Sequence, residues 1–276
     1  MTAGGGLCML NDDQKARLRD RGVLHLPGFL PEAAFRPVRE RVERVMLDEG
    51  HFDGTDWIVP AERPKWPNGG FAGKRIKKAK ELRLLDTEDL RATIQDLLDG
   101  EDLFTFMDRP QPLFTLNNAD EWFLPSTIWH VDLPRFAGCD EPGYQMFTFL
   151  APVQPRCGGT LVVAGSHRVG NPSTGVLRSK RVKGVLKRYD TFADLLSAKS
   201  KNRERLLETS ETVDGVEVQV VEFTGEPGDV WLMDMRLLHT LAPNPSPAPR
   251  LMVTQRYVRE SAWQLLGELS RTEAAA

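Results

Sequence analysis

A chain of 276 residues is long enough to bury a full hydrophobic core. With 41% hydrophobic and 27% charged residues, and 36 Lys and Arg against 39 Asp and Glu for a formal charge of −3, the composition excludes a disordered chain and disfavours a dedicated nucleic-acid binder. The three cysteines, Cys8, Cys139 and Cys157, form no CxxC pair, which excludes a zinc-ribbon or thioredoxin-type site and argues for a reducing compartment.

Residues 1–10 read as a loose tail, without the basic start and apolar stretch of a signal peptide. No apolar run approaches the ~18 residues of a membrane span, so the expectation is a cytoplasmic enzyme with no membrane or nucleic-acid partner. Asn11 and Asp12 predict a capped helix to about Arg21, ended by Gly22, and Val23 to Leu26 a short strand. After Pro31, the recurrence of Ala34, Phe35, Val38, Val42, Val45 and Met46 at steps of three and four predicts a second helix with one buried face. Residues 50–80 lack periodicity, carry Trp57 and Trp66, and end in a basic run over 74–80; such a segment suits a lid or binding loop. Thr87 caps a further helix stopped by Gly100.

From Leu103 the pattern turns strand-like. The expected strands are 103–107, 113–118, 126–132, 144–151, 159–163, 217–223, 229–234 and 250–258. A polar insert at 169–216 interrupts them, with helical stretches at 191–197 and 201–207 and an ambiguous one at 185–188. Helices first and then about eight strands predict an α+β fold whose β part is an antiparallel sandwich or jelly roll. The chain is expected to form a single domain over 1–276: a helical part at 11–100, a core at 103–258 and the insert at 169–216.

Among five histidines, His25 and His51 read as structural. His130 and Asp132, in Trp129-His-Val-Asp132, are two apart on an expected strand and so share a face. His239 supplies a third donor. Two histidines and one carboxylate with open positions is the donor pattern of non-haem Fe(II) oxygenases. Arg250 opens an alternating apolar strand, and its guanidinium fork suits a carboxylate.

Assembled in this order, these residues resemble the phytanoyl-CoA dioxygenase family of Fe(II)/2-oxoglutarate-dependent oxygenases, over roughly residues 10–258. Gly22-Val-Leu-His-Leu-Pro-Gly-Phe-Leu30 is similar to the family's opening. Trp129-His-Val-Asp132 is similar to its HxD segment, and Cys157-Gly-Gly-Thr-Leu-Val-Val-Ala-Gly-Ser-His-Arg168 to the segment ending in Gly-Ser-His. Gly225-Glu-Pro-Gly-Asp-Val230 is similar to the turn before the distal histidine. Ala164 and Cys157 stand where the family commonly has Pro and Asn.

The resemblance implies a double-stranded β-helix (jelly-roll) core with the N-terminal helices packed on one sheet. It implies His130, Asp132 and His239 as iron ligands and catalytic residues. Arg250 matches the arginine for the far carboxylate of 2-oxoglutarate, Thr148 a residue lining the cosubstrate pocket, and His167 a residue shaping a turn. The implied cofactors are Fe(II), 2-oxoglutarate and O2, and the implied partner is a small-molecule substrate, with natural-product or secondary metabolism as a setting it allows. Related halogenases lack the carboxylate ligand, so Asp132 favours hydroxylation, with desaturation, cyclisation and epoxidation open. A cupin-like metalloenzyme without 2-oxoglutarate and a non-catalytic binding protein are the alternatives.

Overall fold

The computed structural model describes residues 9–71 and 73–275. The expected loose tail lies outside the described residues up to residue 8, but Leu10 is buried in a core cluster. Helix α1 (Asp12–Arg21) starts as its sequence predicts. Asn11 Oδ1 accepts from Gln14 N at 2.9 Å and Gln14 Oε1 accepts from Asn11 N at 3.0 Å, a reciprocal cap. Gly22 ends the helix at φ +73, and a Cβ there would come within 2.7 Å of the His167 ring, so both backbone and space require glycine.

β1 (Val23–Leu26) and α2 (Glu32–Asp48) follow, then β2 (Gly70–Phe71), α3 (Lys74–Lys77) and α4 (Glu88–Leu97), the last capped by the Thr87 hydroxyl. The strands are β3 (Leu103–Thr105), β4 (Gln111–Thr115), β5 (Arg135–Phe136), β6 (Gly143–Phe149), β7 (Thr160–Ala164) and β8 (Val176–Leu177). Within the insert come α5 (Ser179–Leu186), α6 (Asp190–Leu195) and α7 (Arg205–Glu208), followed by β9 (Glu211–Val213), β10 (Val216–Glu222), β11 (Val230–Asp234), β12 (His239–Leu241) and β13 (Arg250–Arg259). Helix α8 (Glu260–Ala275) closes the described chain.

All the strand pairs are antiparallel. A seven-stranded sheet runs β1-β11-β6-β13-β4-β2, with β3 also on β13, and a four-stranded sheet runs β12-β7-β10-β9. Phe147, Phe149, Met233 and Met252 of the larger sheet form one buried cluster with Val162 and Ala164 of the smaller, so the two sheets face each other. The opposite face of the larger sheet, through Tyr144, Met146, Val230, Leu251 and Val253, packs against α2, α4 and the intervening helical turns, as expected for the N-terminal helices.

One expectation is corrected, and two features lie outside the expectations. Residues 126–132 are not a strand. Ile128 has φ +56, outside strand geometry, and the Val131 N–H donates to the Ser179 hydroxyl at 3.2 Å rather than to a ladder. Only His130 bridges to a strand, at His239. The insert is packed against the smaller sheet. Val182, Leu186, Phe192, Leu195 and Leu206 have no accessible surface and pack with Leu161, Val163, Val218 and Val220 on the smaller sheet. Helix α8 lies beyond every expected element; its Ala262 and Leu266 are buried against Leu133, Val176 and Val258. Among the described residues no helix is long and apolar enough to cross a membrane.

Candidate metal centre

His130 and His239 come together by backbone pairing. Each main-chain N–H donates to the other's carbonyl at 2.9 Å, which brings the ring centroids to 4.2 Å. Each Nδ1 lies 3.0 Å from a carbonyl two residues earlier, His130 from Ile128 O and His239 from Leu237 O. A carbonyl accepts only, so Nδ1 carries the proton and each Nε2 presents a lone pair. Asp132 is held by the N–H groups of Asp132 and Leu133, both donating to Met235 O at 3.2 and 3.1 Å. Its Oδ1 is 3.6 Å from His130 Nε2 and its Oδ2 3.8 Å from His239 Nε2. One donor atom from each of the three residues lies within 4.8 Å of the others. Asp132 and His239 are largely enclosed, whereas the His130 side chain is 48% exposed, so the cluster opens on one side.

The charges suit a cation. Burial pushes His239 down to about 4, which keeps its ring neutral as a ligand must be. Burial would raise the Asp132 carboxyl, but contacts with His130, His239 and Arg256 outweigh it and hold the group well below the usual carboxylate range. Contact with Asp132 raises His130. Arg256 Nε donates to Asp132 Oδ2 at 2.9 Å and its Nη2 forms an ion-pair contact with the same oxygen at 2.7 Å, leaving Oδ1 without a guanidinium partner.

Strand alternation carries the site further. On β13 and β6, Met252, Phe147 and Phe149 face the intersheet core, so Arg250, Thr254, Arg256 and Gln145 share that side. Arg250 is 5% exposed. Its Nη1 donates to Gly158 O at 2.9 Å, and its Nε is buried without a partner. Burial pushes this guanidinium down to about 10. Directly across the ladder, Thr115 Oγ1 is also buried and unpartnered, as is Oε1 of Gln145, opposite Arg256. Buried polar atoms are normally satisfied, so unpaired groups on one face mark a place for a polar ligand. Trp57 lines a cleft of about 280 Å³ with Arg250, and Trp66 is tied by its N–H to Asn118 O and by its indole to Leu241 O. Of the segment expected as a lid or binding loop, Trp57 thus reaches the Arg250 cleft and Trp66 the end of β12.

Thr148 is a correction. Its ladder neighbours Val230 and Val253 belong to the helix-covered cluster, and its hydroxyl donates to Asp229 O at 2.8 Å. It sits on the opposite face from Arg250 and lines no pocket with it. His25 is structural, stacked on Trp231 with its Nε2 3.0 Å from Asp229, and His167 is buried in the turn Ser166–Arg168 with its Nε2 3.0 Å from Arg19 O. Arg256, Gln145 and Thr115 were not singled out from sequence. Only Arg256 carried a signal, being an even number of residues from Arg250 on an alternating strand.

The family model of phytanoyl-CoA dioxygenase (PhyH) matches residues 18–252. No curated protein matches the chain by sequence. Similar solved structures include the non-heme alpha-ketoglutarate-dependent carbocyclase SnoK from nogalamycin biosynthesis, at 20% identity over 92% of this chain and 87% of that one, with a TM-score of 0.56. EctD from S. alaskensis, solved with 2-oxoglutarate and 5-hydroxyectoine, is 18% identical over 92% and 77%, with a TM-score of 0.53. AviO1 from Streptomyces viridochromogenes Tue57 is 19% identical over 93% and 97%, with a TM-score of 0.53. At these identities the likeness is one of fold.

Proposed function

The chain belongs to the phytanoyl-CoA dioxygenase family, and from that premise we propose that it is a non-haem Fe(II)/2-oxoglutarate-dependent dioxygenase that oxidises, by hydroxylation, an unactivated C–H of a small molecule. The whole chain is read as one oxygenase domain on a jelly-roll core. The observation that carries the proposal is the convergence of two imidazole lone pairs and one ionised carboxylate on a single point, open on one side. The donor set is that of a non-haem Fe(II) centre with room for further ligands. The unpaired Arg250 Nε, with Thr115 Oγ1 across the ladder, is a buried cation and hydroxyl of the kind a dicarboxylate satisfies.

His130, Asp132 and His239 would hold the Fe(II), and Arg250 the far carboxylate of 2-oxoglutarate. Bound there, iron with 2-oxoglutarate and O2 supplies the oxidising chemistry, with release of succinate and CO2. The chain's own contribution is orientation and exclusion of water. The Ile128 and Leu237 carbonyls aim the two imidazoles, and Arg256 restrains Asp132 through Oδ2 so that Oδ1 remains a single donor. Phe147 and Met252, buried beside the Arg250 face, keep water from the carboxylate pair.

The test is an anaerobic Fe(II) titration, followed by succinate measurement in air with 2-oxoglutarate. Wild type should bind one Fe(II) and form succinate, and His239→Ala should lose both. A wild-type protein that binds Fe(II) yet forms no succinate with any substrate offered would favour a metalloenzyme that does not use 2-oxoglutarate.

A further inference from the structure

A cleft of about 430 Å³ opens directly beside Asp132. Its walls are apolar, with Phe106, Leu133, Trp263 and Leu266, and its charged groups are Asp132 and Arg178. The aromatic wall is fixed in place. Trp263 stacks on Phe104 with centroids 4.7 Å apart and planes 9° from parallel, and meets Phe106 edge-on at 5.2 Å and 84°. Phe106 nevertheless leaves 38% of its surface in water. A large apolar ring exposed beside a candidate metal ligand is not required by the core, and it offers a flat ligand a surface to lie on.

The charge of the cleft is also unbalanced. Asp132 already has Arg256 as its counter-ion, at 2.7 Å. Among the described residues no carboxylate or carbonyl is in hydrogen-bond or ion-pair contact with the exposed Arg178 guanidinium. Its backbone is fixed next to the metal ligands, because the hydroxyl of neighbouring Ser179 accepts from the N–H of Val131, between His130 and Asp132. The pairing of β8 with β5 holds the same segment against Arg135 and Phe136. Residues 169–189 contain six Lys and Arg and no Asp or Glu, so no acidic neighbour in that stretch neutralises it. An unpaired guanidinium fork on a firm backbone, in an aromatic cleft, is complementary to a planar anion.

We propose that this cleft binds the substrate, and that the substrate is a flat aromatic or fused-ring molecule whose single carboxylate pairs with Arg178 while its ring lies against Phe106 and Trp263. The proposal rests on the oxygenase reading above for the reaction and deepens it by giving the substrate's chemical class.

The test is calorimetric titration of the anaerobic protein loaded with Fe(II) and 2-oxoglutarate. The probes are 2-naphthoate, the uncharged 2-naphthalenemethanol and the non-aromatic hexanoate. 2-Naphthoate should bind at one site, about ten-fold tighter than either of the others, the step a charge-assisted hydrogen bond gives. Arg178→Gln should bring 2-naphthoate down to the level of the alcohol and leave the alcohol unchanged. Phe106→Ala should weaken both aromatic probes and spare hexanoate. Arg178 is exposed, so its variant tests the proposal even if Phe106→Ala folds poorly. No binding of 2-naphthoate, equal binding of acid and alcohol, or unchanged binding in Arg178→Gln overturns the proposal. Fe(II) and 2-oxoglutarate affinities measured on the same samples stand apart: their loss in the wild type would sink the oxygenase reading, whatever the cleft binds.

Discussion

Replacing Arg250 by methionine separates the cosubstrate role from the fold. In the unliganded protein this guanidinium is buried with one carbonyl partner, Gly158 O, and a bare Nε. Removing it leaves Gly158 O with an unmet buried acceptor, at about 1–3 kcal/mol, but relieves a buried charge that only the attraction of Glu222, not in ion-pair contact with it, offsets, an unfavourable placement of similar size. The two offset, so the unliganded melting temperature should move little. Binding is different: losing one partner of a desolvated charge pair costs about 2–5 kcal/mol, which raises the 2-oxoglutarate Kd by about 30-fold to several thousand-fold. The assay is thermal unfolding of the anaerobic, iron-loaded protein with and without 2-oxoglutarate at about 100 times the wild-type Kd. At that level ligand binding stabilises the wild type by about 2.7 kcal/mol, roughly 5 °C at about 2 °C per kcal/mol for a chain of this size. The variant should gain under about 1 kcal/mol and shift by less than about 2 °C. A full shift in Arg250→Met would refute the assignment of the face between the sheets as the cosubstrate site.

Arg256→Gln should weaken Fe(II) binding roughly 10–100-fold by releasing Asp132, with partial recovery in Arg256→Lys; an unchanged anaerobic titration would show that Asp132 needs no restraint. Asp234 is 3% exposed and pairs through both oxygens with Arg236, at 3.0 and 2.7 Å. Burial would raise its carboxyl, but Arg236 outweighs that and lowers it. Its stabilisation is therefore complete above the ordinary carboxylate pKa of about 4 and lost as pH falls through the lower folded value. Asp234→Asn should cost about 3–5 kcal/mol near neutral pH and flatten the acid limb of a stability-versus-pH curve measured by urea unfolding; a variant curve parallel to wild type would contradict this. Phe192→Ala in α6 should destabilise the protein by about 3–5 kcal/mol in the same assay, whereas a loosely held insert would give almost no change.

Elements whose signals are local could be read directly from the order of residues. The cap at Asn11, the stop at Gly22 and the apolar spacing from Ala34 to Met46 each act within a few residues, and each appears where expected. The donor residues were legible for another reason: few histidines exist, and of the two His-x-Asp triplets, His51-Phe52-Asp53 and His130-Val131-Asp132, only the second lies in a segment similar to the family's. What the sequence could not supply is which side of a strand faces inward. Alternation gives a period but not a phase, so Thr148 was assigned to the pocket when its parity with Val230 and Val253 turns it to the helices. The same alternation, once Met252 is known to face the other sheet, brings Arg256 and Gln145 inward with Arg250.

The HxD segment shows the limit most clearly. Residues 126–132 have strand composition, yet their backbone partners are His239, Met235 and the Ser179 hydroxyl, all supplied from far along the chain. Those long-range bonds outweigh local propensity, admit Ile128 at φ +56, and set His130 and Asp132 against His239. Residue types and spacing sufficed to name the donors; their arrangement emerges on folding, because the bonds that fix it join segments that no local pattern relates.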